Sequence, residues 1–283
     1  MMRGWAALAA GLWFLVLATG TIRAEETYTF GVPPWQRGQS VDDIRRLYRP
    51  MLDYLSGVIG ARITLIGAGT YEDMIDYLAQ GKVHFGTISP TPYVLAKGKN
   101  PGIELLVTEL SWNADRKAAS DRYQGLIVTL KANDAINRIA DLKGRQFAFV
   151  TPESTSGYVF PSAVLRQNGL DPARDFTGTV FLGSHPRVTD ALVAGSVDAG
   201  ATWNFNYVQA VAKHGDVFKI LNSVDIPNLC IAAHPSLPAD VRAKLKAALL
   251  AIDPKLLEGL PTAGYVERPD SFYDGVRRLT EFQ

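Results

Sequence analysis

The chain has 283 residues, of which 47% are hydrophobic and 20% charged, with a formal net charge of +1. That composition supplies a sizeable core, and the near-neutral balance without any basic block argues against a surface built for nucleic acid or an anionic membrane. A single cysteine, Cys230, excludes an intrachain disulfide.

In chain order, a leader comes first. Arg3 precedes a short apolar run, AALAAGLWFLVLATG, and TIRA ends on a small residue suited to cleavage after Ala24. The run is shorter than the ~20 residues of a spanning helix, and Arg23 and Glu25 close it. Residues 1–24 therefore read as a secretory signal, and no cysteine stands at the cleavage site to carry a lipid. Losing Arg3 and Arg23 takes the formal charge from +1 to −1. A secreted, disulfide-free chain with a normal core fits a bacterial periplasm.

Residues 28–32 (YTFGV) then read as a strand. Residues 41–60 carry Ile44, Leu47, Met51, Leu52 and Leu55 at helical spacing, with Ser40 or Asp42 as a start signal and Gly57 or Gly60 as a stop. Pro50 predicts a local kink. RITLIG is a strand, YEDMIDYLAQG a helix, and VHFGTI and IELLVTEL are strands. The alternation resumes with QGLIVTL, then a short helix and strand in IADLKGRQFAFV, a helix in VFPSAVLRQNGL, and the strand TGTVFLG. The helix RVTDALVAG and the strands VDAGATW and VFKILN follow. After IPNLCIAA the chain ends in two helical patterns, SLPADVRAKLKAALLAI and DSFYDGVRRLTEF.

This alternation predicts two α/β lobes, each a mostly parallel sheet flanked by helices. The first comprises residues 25–129 and, because the terminal helices have no sheet of their own, residues 222–283. The second comprises residues 130–221. The chain then crosses between lobes twice, near residues 125–131 and 222–226, and leaves a cleft where ligands bind.

Three strand-to-helix turns carry donors toward such a cleft. In STSGY, Ser154, Thr155 and Ser156 stand where free backbone N–H groups and the helix dipole favour an anion, and Gly157 allows close backbone approach. Pro161 predicts that the regular helix begins near Phe160, with a looser turn before it. Ser184 and His185 precede a helix that has Pro186 in its first turn, and Ser89 and Thr91 open the helix after VHFGTI. Tyr71 starts another helix, where interlobe packing is an equal reading. Trp35, Trp112 and Trp203 are candidate cleft walls. Each cluster alone is also compatible with ordinary capping.

The four histidines show no metal-ligand spacing, so no metal or cofactor is expected. There is no G-x-S-x-G elbow, P-loop or dinucleotide fingerprint. Oxyanion donors without a nucleophile and base describe a binder rather than an enzyme.

The segments YEDMIDYLAQGKVHFGTISPTPYV, IADLKGRQFAFVTPESTSGYVFPSAVLRQNGL and GSHPRVTDALVAGSVDAGA resemble the periplasmic phosphonate/phosphite/phosphate-binding proteins of ABC transporters, which have the type II periplasmic-binding-protein fold. The resemblance implies that Ser154, Thr155, Ser156, His185 and Tyr71 grip a tetrahedral oxyanion, with Ser89 added from the strand-end argument. It also implies delivery to a membrane permease. Relatives that bind aminoalkyl phosphonates hold the amine with acidic residues, and the matching places here read TWNFN and IPNLC, with Phe205 and Leu229 where carboxylates are expected. An ammonium buried without counter-charge is costly, so the expected ligand lacks an amine. The alternative is a ligand sensor docking on a membrane histidine kinase, for another oxyanion such as arsenite if Cys230 faces the cleft.

Overall fold

The computed structural model describes residues 26–34, 40–112 and 118–281. The leader and Trp35 lie outside the described residues. The first half runs β1 (Thr27–Val32), α1 (Val41–Ile59), β2 (Arg62–Gly67), α2 (Tyr71–Ala79), β3 (Phe85–Ile88), α3 (Pro90–Lys99), β4 (Glu104–Trp112) and a short β5 (Ala119–Ser120). Capping boxes start α1 at Ser40 with Asp43 and α2 at Thr70 with Asp73. Gly60 closes α1 in the left-handed conformation (φ 67°), where any side chain would be strained. Pro50 stays inside α1 with its ring on the exposed face, so the helix continues past one missing hydrogen bond.

The chain continues through β6 (Arg122–Leu130), β7 (Gln146–Phe149), α4 (Phe160–Gln167), β8 (Gly178–Phe181), α5 (His185–Val193), β9 (Ala199–Trp203), α6 (Asn204–His214) and β10 (Phe218–Pro227). It ends with β11 (Cys230–Ala233), α7 (Ala239–Leu250), β12 (Thr262–Val266) and α8 (Asp274–Thr280).

Two sheets result. One has the order β12-β4-β11-β3-β1-β2, with β5 beside β4; the other has the order β10-β6-β9-β7-β8. Parallel pairing is confined to β1 with β2 and β3, and to β7 with β8 and β9. Those are the strands joined through crossover helices. The strands that enter or return between lobes run antiparallel, so both sheets are mixed rather than mostly parallel.

Sheet membership also moves the crossings. β6 and β10 pair along their full lengths, from Arg122 opposite Pro227 to Leu130 opposite Phe218, within the second sheet. Residues 122–129 and 222–227, expected with the first lobe, therefore pair in the second sheet, with one register shift between Ile220 and Asn222. The chain changes sheets at Asp121 and Asn228, where the Asn228 N–H donates to the Asp121 carbonyl at 2.8 Å. At the far end, β11 and β12 return to the first sheet, and Leu245 and Leu249 of α7 join its core with Met51 and Leu55 of α1. Val276 of α8 packs with Tyr93 and Tyr273 on the same sheet's other side.

Candidate functional site

All six residues picked out from strand ends meet in one cavity between the lobes: Ser154, Thr155, Ser156, His185, Tyr71 and Ser89. Tyr123, Trp203 and Leu229 complete its wall. Each of the six is at least nine-tenths buried. No Lys or Arg lines the cavity among the described residues, so its polarity comes from neutral donors and helix starts.

The second lobe contributes most. β7 delivers the chain to residues 155–159, which form a single π-helical turn before α4 begins at Phe160, as Pro161 required. Ser154 caps that turn, its Oγ accepting from Gly157 N at 3.1 Å. An oxygen that accepts in this way keeps its own O–H to donate elsewhere. Thr155 is used likewise, its Oγ1 accepting from Thr91 N at 3.0 Å. That bond joins the first turn of α3 to the second lobe's cradle and holds the lobes together. Gly157 has a different reason from the one the sequence suggested: a Cβ there would lie 2.4 Å from the Val150 side chain. The glycine lets the turn fold onto β7.

His185 opens α5 and is buried. Burial drives its pKa down to about 3, so it is neutral near pH 7. Behind it, Asn206 Nδ2 donates to Thr202 Oγ1 at 3.0 Å, and Thr202 Oγ1 lies 3.4 Å from His185 Nδ1. With the Thr202 oxygen accepting from Asn206, its proton is free for Nδ1, and the imidazole N–H is left at Nε2. A neutral imidazole so held acts as a donor. This relay was not legible in the sequence, because α6 was not foreseen in TWNFN.

Ser89 precedes α3 without making a side-chain cap, which leaves its hydroxyl uncommitted. Tyr71 both lines the cavity and packs with Leu126 and Val128 of the second lobe, so the two readings of it coincide. Tyr123 was missed, being one aromatic in a strand. Burial raises its pKa, opposed by the neighbouring Ser156 and Thr155 side chains. Trp203 lines the cavity, and Trp112 lines the adjoining groove. Cys230 does not face the cleft: it is wholly buried on β11, its Sγ donating to the Ile88 carbonyl at 3.8 Å. Burial keeps it a thiol, which removes the support for a thiophilic ligand.

Leu229 lines the cavity and Phe205 the groove beside it, so positions 205 and 229 offer no carboxylate. A different carboxylate lies close by. Beyond Trp203 and Leu229, a second small cavity is lined by Glu109, Thr87, Ser111 and Asn228, with Tyr48 and Tyr265.

Two mixed sheets joined by paired crossings, with buried helix-start donors between them, define a two-lobed solute-binding protein of the periplasmic-binding-protein fold. Residues 30–273 match the model of one family, the phosphonate periplasmic substrate-binding proteins of ABC transporters, and the chain belongs to that family. It is 26% identical over 282 residues to the phosphate-import protein PhnD of Mycolicibacterium smegmatis, covering 90% of this chain and 85% of that one. In fold it is similar to PhnD1 of Prochlorococcus marinus solved with methylphosphonate (TM-score 0.77, 17% identity, 91% of this chain and 98% of that one). It is equally similar to a binding-protein component of an ABC phosphonate transporter from Pseudomonas aeruginosa (TM-score 0.77, 19% identity, 92% and 87%). No helix among the described residues is long and apolar enough to cross a membrane.

Proposed function

We propose that Ser154, Thr155, Ser156, His185, Tyr71 and Ser89 bind the oxyanion head of a phosphonate, phosphite or phosphate, and that the protein captures this ligand in the periplasm for an ABC permease. The observation that carries the reading is their convergence, from both lobes, in one buried cavity with no Lys or Arg among its described lining residues. Each element presents N–H or O–H hydrogens, and a tetrahedral anion presents only acceptors and at most one or two protons. Hydrogen bonds to a charged group contribute about 1.5–3 kcal/mol each. Three or four of them, after the cost of association, support a Kd near 1 μM, roughly −8 kcal/mol.

The geometry also supplies a closing step. Thr155 accepts from Thr91 N of the opposite lobe and also lines the cavity. Ligand gripped by the second lobe thereby favours the closed arrangement, the form a permease can distinguish from an empty one. The side chain within reach of His185 Nδ1 is Thr202 rather than a cavity hydroxyl of residues 154–156. The family's transport role and the import function named for the mycobacterial relative agree with capture rather than turnover.

Calorimetry of the leader-free protein against methylphosphonate, phosphite, phosphate and sulfate tests the reading. One-to-one binding of at least one phosphorus oxyanion at micromolar Kd or tighter, with the ligand's phosphorus NMR spectrum unchanged after incubation, is expected. No binding up to millimolar concentration would overturn it.

A further inference from the structure

Among the described residues lining the anion cavity and the cavity next to it, Glu109 is the one carboxylate, and nothing in the proposed capture step uses it. It stands on β4 with its N–H bonded to the Leu229 carbonyl at 2.8 Å, so its place is fixed against the wall of the anion cavity. It is 6% exposed. One carboxylate oxygen accepts from the Thr87 hydroxyl. The ionisable groups that feel its charge are Tyr48, Tyr265, Tyr273 and Cys230, all neutral. No Lys, Arg or His lines its cavity among the described residues.

A carboxylate buried with a single hydroxyl partner is expensive, and an apolar residue of similar size would cost less. Burial pushes its pKa up to about 7, the direction expected where no cation compensates. Such a group beside a cleft marks a functional position, because a folded core does not need it. The surroundings support this. Ser111 Oγ accepts from Asn228 Nδ2 at 2.6 Å, and Leu229 N donates to Asn228 Oδ1 at 2.9 Å. The polar groups around Glu109 are thus held by one another, and the Thr87 bond engages one of its two carboxylate oxygens.

The two cavities share Trp203 and Leu229 as walls. A ligand whose charged head sits among Ser154–Ser156 would extend any substituent along those side chains toward Glu109. We infer that the Glu109 cavity is a second compartment of the same ligand site, and that it takes a short arm on the oxyanion ending in a hydrogen-bond donor, a hydroxyl or an ammonium. An ammonium gains most, because it also supplies the missing positive charge. The inference rests on the oxyanion reading of the first cavity, and it reverses the expectation of an amine-free ligand, which considered positions 205 and 229 alone.

The test is calorimetry with four ligands: methylphosphonate, ethylphosphonate, 2-hydroxyethylphosphonate and 2-aminoethylphosphonate. The wild-type protein should bind at least one donor-ended ligand tenfold or more tighter than ethylphosphonate. Glu109→Leu should erase that gap and leave methylphosphonate within about twofold. Glu109→Gln separates the two arms: it retains most of a hydroxyl preference and loses an ammonium preference. Both variants remove a buried charge, so a thermal melt at or above wild type verifies folding. Equal affinity for ethylphosphonate and both donor-ended ligands, or equal loss for all four ligands in the variants, overturns the inference while leaving capture intact. If wild type binds none of the four but binds phosphite or phosphate, the inference falls and capture stands; if it binds none of the six, the oxyanion reading itself falls.

Discussion

The two compartments flanking Trp203 solve opposite problems with opposite chemistry. The anion cavity is made of neutral donors at the starts of helical turns, with the Ser154 and Thr155 hydroxyls each oriented by an N–H that it accepts. The Glu109 cavity holds a buried carboxyl from the middle of a strand, with one hydroxyl partner. The first is positive in character without a formal charge, and the second is negative without a counter-ion. Local backbone polarity builds the first cheaply, because helix starts have unused N–H groups in any case. The second carries a standing desolvation cost that only something outside the chain can offset.

That contrast can be broken most strongly at the cradle. Changing Ser154, Thr155 and Ser156 together to alanine removes three donors to a charged ligand. At about 1.5 kcal/mol or more each, affinity for methylphosphonate should fall more than ~1000-fold by calorimetry. Circular dichroism should stay native, since the lost Ser154 cap costs only about 1 kcal/mol. An affinity within tenfold of wild type would remove the cradle from the account.

The Glu109 side predicts a pH effect on stability. Its folded pKa of about 7 lies above the ordinary 4.5, so the folded state holds the proton more tightly. Stability from this group is present below pH 4.5, falls as pH rises toward 7, and is level above. The gap of 2.5 units corresponds to at most about 3 kcal/mol. Denaturant melts of Glu109→Gln should show its advantage over wild type growing from pH 4.5 to 7. A constant difference would mean that Glu109 is not desolvated. His185 has the reverse sign: its depressed pKa costs stability as pH falls below 6.5 toward 3.

Two smaller effects sharpen the cradle. Gly157→Ala drives a methyl into Val150 and should destabilise by about 2 kcal/mol in denaturant titration, more than a surface change would. Thr202→Val breaks the relay to His185 and should weaken methylphosphonate about tenfold, with Thr202→Ser restoring affinity. Nitrogen NMR of His185 should report Nε2–H in wild type and a mixture of tautomers in the valine variant.

The difference between compartments also explains what could be read in advance. Ser154–Ser156, His185 and Ser89 follow short apolar runs and precede helical patterns, so chain order alone places them at helix starts. Pro161 even marks where the regular helix begins. Glu109 lies inside ELLVTELSW with no flanking signal, and only the return of β11 and β12 on either side of β4 buries it. Tyr123 and the Asn206–Thr202 relay are hidden for the same reason, as their meaning comes from pairing between distant segments. The expectation of mostly parallel sheets and the sheet assigned to residues 122–129 and 222–227 missed for the same reason. A strand's partner, and hence its direction and lobe, is set by register with β10 rather than by anything within residues 122–130.

The most direct measurement of the central claim is a crystal structure of the leader-free protein grown with methylphosphonate. Phosphonate oxygens are expected between the lobes, about 2.7–3.2 Å from Ser154, Thr155 and Ser156 donors and from His185 Nε2. Phosphonate density elsewhere, with those donors turned to one another or to water, would contradict that claim.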